Sequence, residues 1–563
     1  MPYVVTQSCC SDASCVVACP VNCIHPAPGE PGFAEAEMVH IDANSCVDCG
    51  ACVTACPVDA IKPHTKLTGA ELPFIELNRL YFAQEPHADR TPLALVPPPR
   101  VIQRQDVRVA VVGAGPAGLY AADELLKQVG VSVDVFDRLP TPYGLARAGV
   151  APDHQHTKQV TKLFAAIEAQ PGFGYRLNVE VGRDISHDEL AAHYDGVIYA
   201  VGASADKALG VPGEDLLGSV SATEVVGWYN GHPEHQDVRV DLGSERVVVV
   251  GNGNVALDVA RILTADPETL AATDIADLPL ATLRGSAVRE VVVLGRRGPA
   301  EAAFTMPELV GLAGLSDVDV VIDNGGQPIL AESAKTRLLS ELALRTPVPG
   351  RRRIVLRFGT APVRILGEDR VTGIEVVRTR TVEVDGRSVA QPTGESESIP
   401  AGMVLRSVGY RALPVPGLPF DGATCTIPHE RGRIRPGVYV AGWVKRGPNG
   451  FIGTNKSCSE ETVASLLDDL DAGLLPRPSR GADDLTTALA SRTTVVDLAG
   501  WRAIDHEERQ LAEPLGRPRV KLVEVEDMVR VAELGTVASV VRVPVRRRVG
   551  GVARRKPGLG LRM

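Results

Sequence analysis

Val107-Arg-Val-Ala-Val-Val112-Gly113-Ala114-Gly115-Pro-Ala-Gly118, with the helical text Leu119 to Gln128 behind it, reads as strand, tight glycine turn and helix. In such a turn the first glycine makes the bend and the second lets backbone approach a pyrophosphate. The third permits close helix packing, and the diphosphate sits at the helix N-terminus. The next strand, Val131-Ser-Val-Asp-Val-Phe136, ends on Asp137, placed to accept a ribose hydroxyl.

A second unit follows at Arg246-Val-Val-Val-Val250-Gly251-Asn252-Gly253-Asn254-Val255-Ala256, with Ala256 in the permitted third position. Two such units imply two dinucleotides. The strand after it, Val291-Val-Val-Leu294, runs into Gly295-Arg296-Arg297-Gly298-Pro299 rather than an acid. Two guanidiniums where an adenosine ribose should lie favour a 2'-phosphate, hence NADPH over NADH.

Ahead of both units, cysteines fall as Cys9-x5-Cys15-x3-Cys19-Pro20 and Cys46-x2-Cys49-x2-Cys52-x3-Cys56-Pro57. In two-cluster bacterial spacing, the cysteine before each proline crosses to the other cluster. Cys46, Cys49, Cys52 and Cys19 then complete a [4Fe-4S] site. The other set has Cys9, Cys15 and Cys56, with Asp12 where the fourth thiolate would stand. Three thiolates favour a [3Fe-4S] cluster, or a [4Fe-4S] cluster with a labile iron on Asp12 or water. Zinc would close with four ligands and leave the crossed set unexplained, while disulfides need a secreted context.

The chain has 563 residues, enough for three or four domains, and carries a net charge of -10, which argues against nucleic-acid binding. The start lacks a basic segment leading into an apolar run, no stretch reads as a membrane span, and Cys10, Cys23, Cys425 and Cys458 show no paired spacing. The expected location is cytoplasmic. Residues 1–62 carry Asp12, Glu30, Glu35, Glu37, Asp42, Asp48 and Asp59 against Lys62 alone, an acidic face suited to basic surface on a partner or on the chain's own second domain. Residues 65–106 read as a Pro-rich spacer ending Val96-Pro-Pro-Pro-Arg100.

Longer strings carry a family resemblance: Val249 to Leu263, Gly295 to Pro299, Ala303-Phe-Thr305 with Glu308, Leu139-Pro-Thr-Pro-Tyr-Gly-Leu145 with Gly149 to His154, and Ala441 to Lys456. From Val107 to about Ala538 the chain resembles the adrenodoxin reductase family of FAD-containing ferredoxin–NADP reductases. With its first domain, which is similar to seven-iron bacterial ferredoxins, it resembles the fused ferredoxin and ferredoxin–NADP reductases.

The resemblance implies an α/β two-dinucleotide-binding flavoprotein, with FAD and NADP Rossmann-like domains, preceded by a small α+β ferredoxin domain at 1–64. The FAD domain would occupy 107–211 and 403–480 around an inserted NADPH domain at 212–402. A C-terminal helical segment at 481–540 and a basic tail at 541–563 would follow. FAD would meet Gly113, Ala114, Gly115, Gly118, Asp137, Leu145, Trp443, Gly450, Phe451 and Ile452. NADPH would meet Asn252, Gly253, Asn254, Val255, Arg296, Arg297, Glu308 and Gly450. His154 with Asp258 would form a proton-handling pair near the flavin, and Gly311 stands where some relatives carry an acid. Hydride would pass from NADPH to FAD, and single electrons to a cluster and onward, or the reverse. The implied partner is a one-electron acceptor protein, such as a ferredoxin or a cytochrome P450 system, met by a monomer. Two rivals share parts of this text: a glutamate-synthase small-subunit-like NADPH dehydrogenase, and a redox-sensing cluster module on a flavoprotein.

Overall fold

A computed structural model describes residues 3–89, 100, 102–384 and 387–541, so the basic tail lies outside the described residues from 542 on. Two parallel sheets dominate. In the first, Val438–Val440, Gly196–Tyr199, Val107–Val112, Val131–Asp137 and Phe173–Leu177 lie side by side in that order, with Arg433–Arg435 antiparallel on the edge. Val109, Val111, Val133 and Val135 are fully or almost fully buried, as expected of strands covered on both faces by helices.

The second sheet is ordered Ser219–Ser221, Met403–Arg406, Arg246–Val250, Glu290–Leu294, Arg352–Arg357, Val318–Asp323 and is parallel throughout. Met403–Arg406 therefore belongs to the inserted domain, not to the FAD half that the boundary at 402/403 assigned it. A four-residue strand with three apolar residues reads alike in either sheet, and its pairing with Val247–Val250 settles the matter. The chain recrosses where Tyr410–Arg411 pairs with Ala205–Asp206. A three-stranded antiparallel sheet, Thr360–Gly367, Val371–Val384 and Arg387–Pro400, extends the inserted domain.

The N-terminal domain pairs Tyr3–Val5 with Ile61–Pro63 and Ile24–His25 with His40–Ile41, around the short helices Ser14–Ala18 and Ala51–Ala55. The expected spacer from 65 on is corrected in its first half: Pro73–Gln84 is a helix with proline in its first turn, packed on this domain through Phe74 and Asn78. Asn78 accepts from Ile41 N at 2.9 Å and donates to Val5 O at 3.0 Å, joining the two strand pairs. Phe74, Leu77 and Tyr81 recur at helical spacing, with Phe74 in the domain core and Leu77 packed against it. Residues 90–99, most of the proline-rich text, lie outside the described residues.

The C-terminal helices Ala482–Ala490, Leu498–Ala512 and Val525–Val541 close the molecule. Buried Glu508 receives Arg147 and Arg519, and buried Asp274 receives Lys158 at 2.7 Å and Lys521 at 3.0 Å. These networks pin the closing segment to both dinucleotide domains. Lys158 and Asp274 face one another across the joint between the two domains, where an unpaired buried charge would be costly.

Candidate functional site

The two glycine turns are built alike. Gly113 and Gly251 both have φ of +113°, a conformation that favours glycine, and a Cβ on either would strike backbone, the Ala200 carbonyl in one and the Ser407 carbonyl in the other. Gly115 and Gly253 begin helices Pro116–Leu126 and Asn254–Thr264 in extended conformation, and nothing lies within 4 Å of the position a Cβ would take on Gly253. Each turn is thus an open cradle of N–H groups that suits a pyrophosphate.

Around the first cradle, Asp137 accepts from Ala114 N at 2.8 Å and Leu139 N at 3.0 Å, which fixes its carboxylate beside the turn. Gly144 presses on Gly115, its Cβ position 3.1 Å from the Gly115 Cα, and this brings Leu145 to the same place. Gly442, at φ +74°, lies against Ala117 of the first-turn helix, so Trp443 also reaches this mouth. Trp443 Nε1 donates to Asn449 O at 3.1 Å and its ring meets Tyr410 at 5.2 Å. Phe451 N donates to Thr454 Oγ1 at 3.0 Å, holding the loop of Gly450, Phe451 and Ile452.

Around the second cradle, Asn254 bonds Thr305 through both ends of its amide, at 2.8 and 3.2 Å. Arg296 and Arg297 have their backbone carbonyls tied by Thr379 Oγ1 and Gly359 N. Among the described residues, neither guanidinium has an acidic partner. Two anchored but unpaired cations beside an open glycine turn suit a phosphate monoester.

Between the cradles lies a polar cluster. Arg261 Nη2 donates to His154 Nε2 at 2.9 Å and to Asp258 at 2.7 Å, and Arg261 also holds Asp153 in a two-pronged pair. His154 and Asp258 are brought together as expected, but through Arg261, which the reading of the sequence passed over. Arginine can only donate, so His154 Nε2 is the acceptor here. Burial works against the Asp153 charge, yet Arg261 holds the carboxyl down to about 2. Glu308 lies 3.9 Å from His154 and 3.7 Å from Arg261, and burial, helped by Asp258, pushes its carboxyl up.

The cysteines sort as the crossed rule requires. One pocket is lined by Cys19, Cys46, Cys49 and Cys52. Another is lined by Cys9, Cys15, Cys56 and Asp12, with buried Cys10 beside them. Ser11, whose buried hydroxyl has no hydrogen-bond partner among the described residues, lines the second, and the thiol-rich donor set of each pocket fits an iron–sulfur group. Cys23, unassigned from sequence, lines the first cavity with its sulfur 3.4 Å from that of Cys19. Burial pushes the Cys9 thiol up to about 11 and, with the charge of Cys46, that of Cys52 to about 12. Hydrogen bonding from the Cys23 thiol instead lowers those of Cys19 and Cys46.

The iron-site domain sits on the rest of the chain. Gly453 N donates to Cys10 O at 2.8 Å, and a Cβ on Gly453 would collide with the Ser11–Asp12 backbone. Met306, Val310 and Leu338 pack into its core. Of the acidic face, Glu37 and Asp59 meet the reductase, at Met306 N and His156.

Two dinucleotide cradles joined to paired cysteine cavities define a flavoprotein-type oxidoreductase with an iron–sulfur domain. Residues 107–271 match the model of pyridine nucleotide-disulphide oxidoreductases, and residues 39–62 that of the 4Fe-4S binding domain. A probable ferredoxin/ferredoxin–NADP reductase of Mycobacterium tuberculosis is 50% identical, covering 98% of this chain and 97% of the relative. The NADPH-ferredoxin reductase FprA of the same organism is 47% identical over 75% of this chain and 98% of its own. The structure of that FprA in complex with NADPH aligns at a TM-score of 0.73 and 45% identity, over 76% of this chain and all of the other. The chain belongs to the fused ferredoxin/ferredoxin–NADP reductase family and is an oxidoreductase of that class. None of its described helices is long and apolar enough to cross a membrane.

Proposed function

We propose that the chain is an NADPH:ferredoxin oxidoreductase whose first electron acceptor is its own N-terminal domain. One observation carries this reading: Gly453 seats the Ser11–Asp12 loop of the three-thiolate site directly on the Gly450–Asn455 loop, beside the mouth formed by Gly115, Leu145 and Trp443. The four-cysteine site lies beyond it, with Cys49 exposed and Val47 59% exposed, on a face open to an external acceptor. Iron–sulfur groups would supply one-electron carriers, and FAD the exchange between electron pairs and single electrons.

The residues divide as follows. Gly113, Ala114, Gly115, Gly118, Asp137, Leu145, Trp443 and the 450–452 loop hold FAD. Asn252 to Val255 hold the NADPH pyrophosphate, Arg296 and Arg297 its 2'-phosphate, and Glu308 its nicotinamide side. Cys9, Cys15 and Cys56 with Asp12 hold a [3Fe-4S] cluster or a labile [4Fe-4S] cluster. Cys19, Cys46, Cys49 and Cys52 hold a [4Fe-4S] cluster. The external acceptor is a one-electron protein of the ferredoxin or cytochrome P450 type.

The coenzyme assignment is tested with the Arg296→Ala, Arg297→Ala double variant. At about 1.5 to 3 kcal/mol for each charged hydrogen bond, NADPH preference over NADH should fall by roughly two to four powers of ten in kcat/KM. NADH use should hardly change; an equal fall for both coenzymes would refute the 2'-phosphate site.

A further inference from the structure

The helix Met306–Ala313 carries Glu308 toward the polar cluster, and its first turn is not capped by its own chain neighbour. Thr305, at the N-cap, makes no side-chain capping bond, because its hydroxyl is taken by Asn254 of the coenzyme turn. The open N–H of Met306 donates instead to Glu37 Oε2 at 2.7 Å, from the iron-site domain. In the same turn, Gln7 Nε2 donates to Glu308 Oε2 at 3.3 Å, the one hydrogen bond on that carboxylate among the described residues. Gly311 makes room for it, since a Cβ at that position would collide with the Gln7 amide. Two residues before Cys9, Gln7 thus closes a wall of the coenzyme site from another domain.

We infer that Gln7 and Glu37 are positioning residues of the nicotinamide site, and that docking of the iron–sulfur domain and binding of oxidised coenzyme are thermodynamically linked. The inference rests on the assignment of Glu308 to the nicotinamide side. An amide donating to a carboxylate favours its ionised form and fixes its rotamer. An ionised Glu308 is complementary to the positively charged ring of NADP+. The path is continuous: Glu37 fixes Met306, Met306 follows Thr305, and Thr305 is bonded at both its amide and hydroxyl to Asn254. A coupling of this kind is reciprocal, so coenzyme that prefers the clamped helix must also tighten the seat of the domain.

The test uses the full-length, iron- and flavin-loaded protein and two ligands, NADP+ and 2',5'-ADP, which lacks the nicotinamide. Calorimetric titration of Gln7→Ala should show NADP+ binding weakened by about tenfold, the loss of one charged hydrogen bond, with 2',5'-ADP binding and iron content unchanged. Gln7→Glu, which sets a like charge against Glu308, should weaken NADP+ further. Adding Glu308→Gln to it, exchanging donor and acceptor, should bring binding back to the level of Glu308→Gln alone. Unchanged NADP+ binding in Gln7→Ala, or equal losses for both ligands, would overturn the inference. If Glu308→Gln alone leaves NADP+ binding untouched, the assignment of Glu308 fails, and the clamp with it.

Discussion

Helices Ser14–Ala18 and Ala51–Ala55 are each five residues long, each rises from a left-handed residue, Ala13 at φ 59° or Gly50 at φ 74°, and each ends on an extended cysteine. Cys19 has φ and ψ of -78° and 115°, Cys56 of -74° and 118°. Left-handed Ser11 and Asn22 recur as Asp48 and Asp59 at the same steps. The two halves of the iron-site domain are one backbone used twice. They differ at the position before the helix N-cap, Asp12 in one and Cys49 in the other. Asp12 is buried, with its carboxylate on the Ser14 hydroxyl and backbone, and it faces the flavin half; Cys49 is exposed. The same loop thus serves as an inner seat in one copy and an outer face in the other.

Breaking the outer copy should give the largest effect. Cys52→Ser removes a buried thiolate of the complete set, and iron content should fall by about four atoms per chain while the inner site keeps its own. Retention of full iron would mean that the crossed ligand sets are misassigned.

Converting the inner copy into the outer one comes next. Asp12→Cys should add about one iron per chain, by the ligand count, and abolish the EPR signal of an oxidised [3Fe-4S] centre. The backbone is already that of the Cys49 loop, so no rebuilding is needed. Loss of iron, or a persisting three-iron signal, would show that Asp12 is not the missing ligand.

The smallest effect separates the two N-caps. Gly50→Ala places a side chain at positive φ, with a Cβ 3.1 Å from the Tyr3 hydroxyl, and should cost about 1 to 2 kcal/mol in thermal or chemical unfolding. Ala13→Gly relieves the same strain and should be neutral or stabilise by up to about 1 kcal/mol. Equal costs in the two variants would break the equivalence of the halves.

Spacing alone suggests the cysteine sets, because ligand chemistry ties residue type to position, and the same residues line two separate pockets. The glycine turns were equally legible, since steric limits on φ select glycine there. Strand Met403–Arg406 was misplaced, as a short apolar run carries no mark of its partner. Helix Pro73–Gln84 carries an apolar face in Phe74, Leu77 and Tyr81, but it stands in text whose prolines suggest a spacer. Arg261, Gln7 and Glu37 act through contacts between residues far apart in the chain, at Asp153, Glu308 and Met306, and no local pattern announces such pairs.

Electrons from NADPH should reach the chain's own iron sites. Anaerobic addition of NADPH to the air-oxidised holoenzyme, followed by rapid freezing and EPR, tests it directly. The flavin should bleach together with loss of the oxidised three-iron signal, with NADH at equal concentration far slower. Bleached flavin beside an unchanged iron–sulfur signal would contradict it.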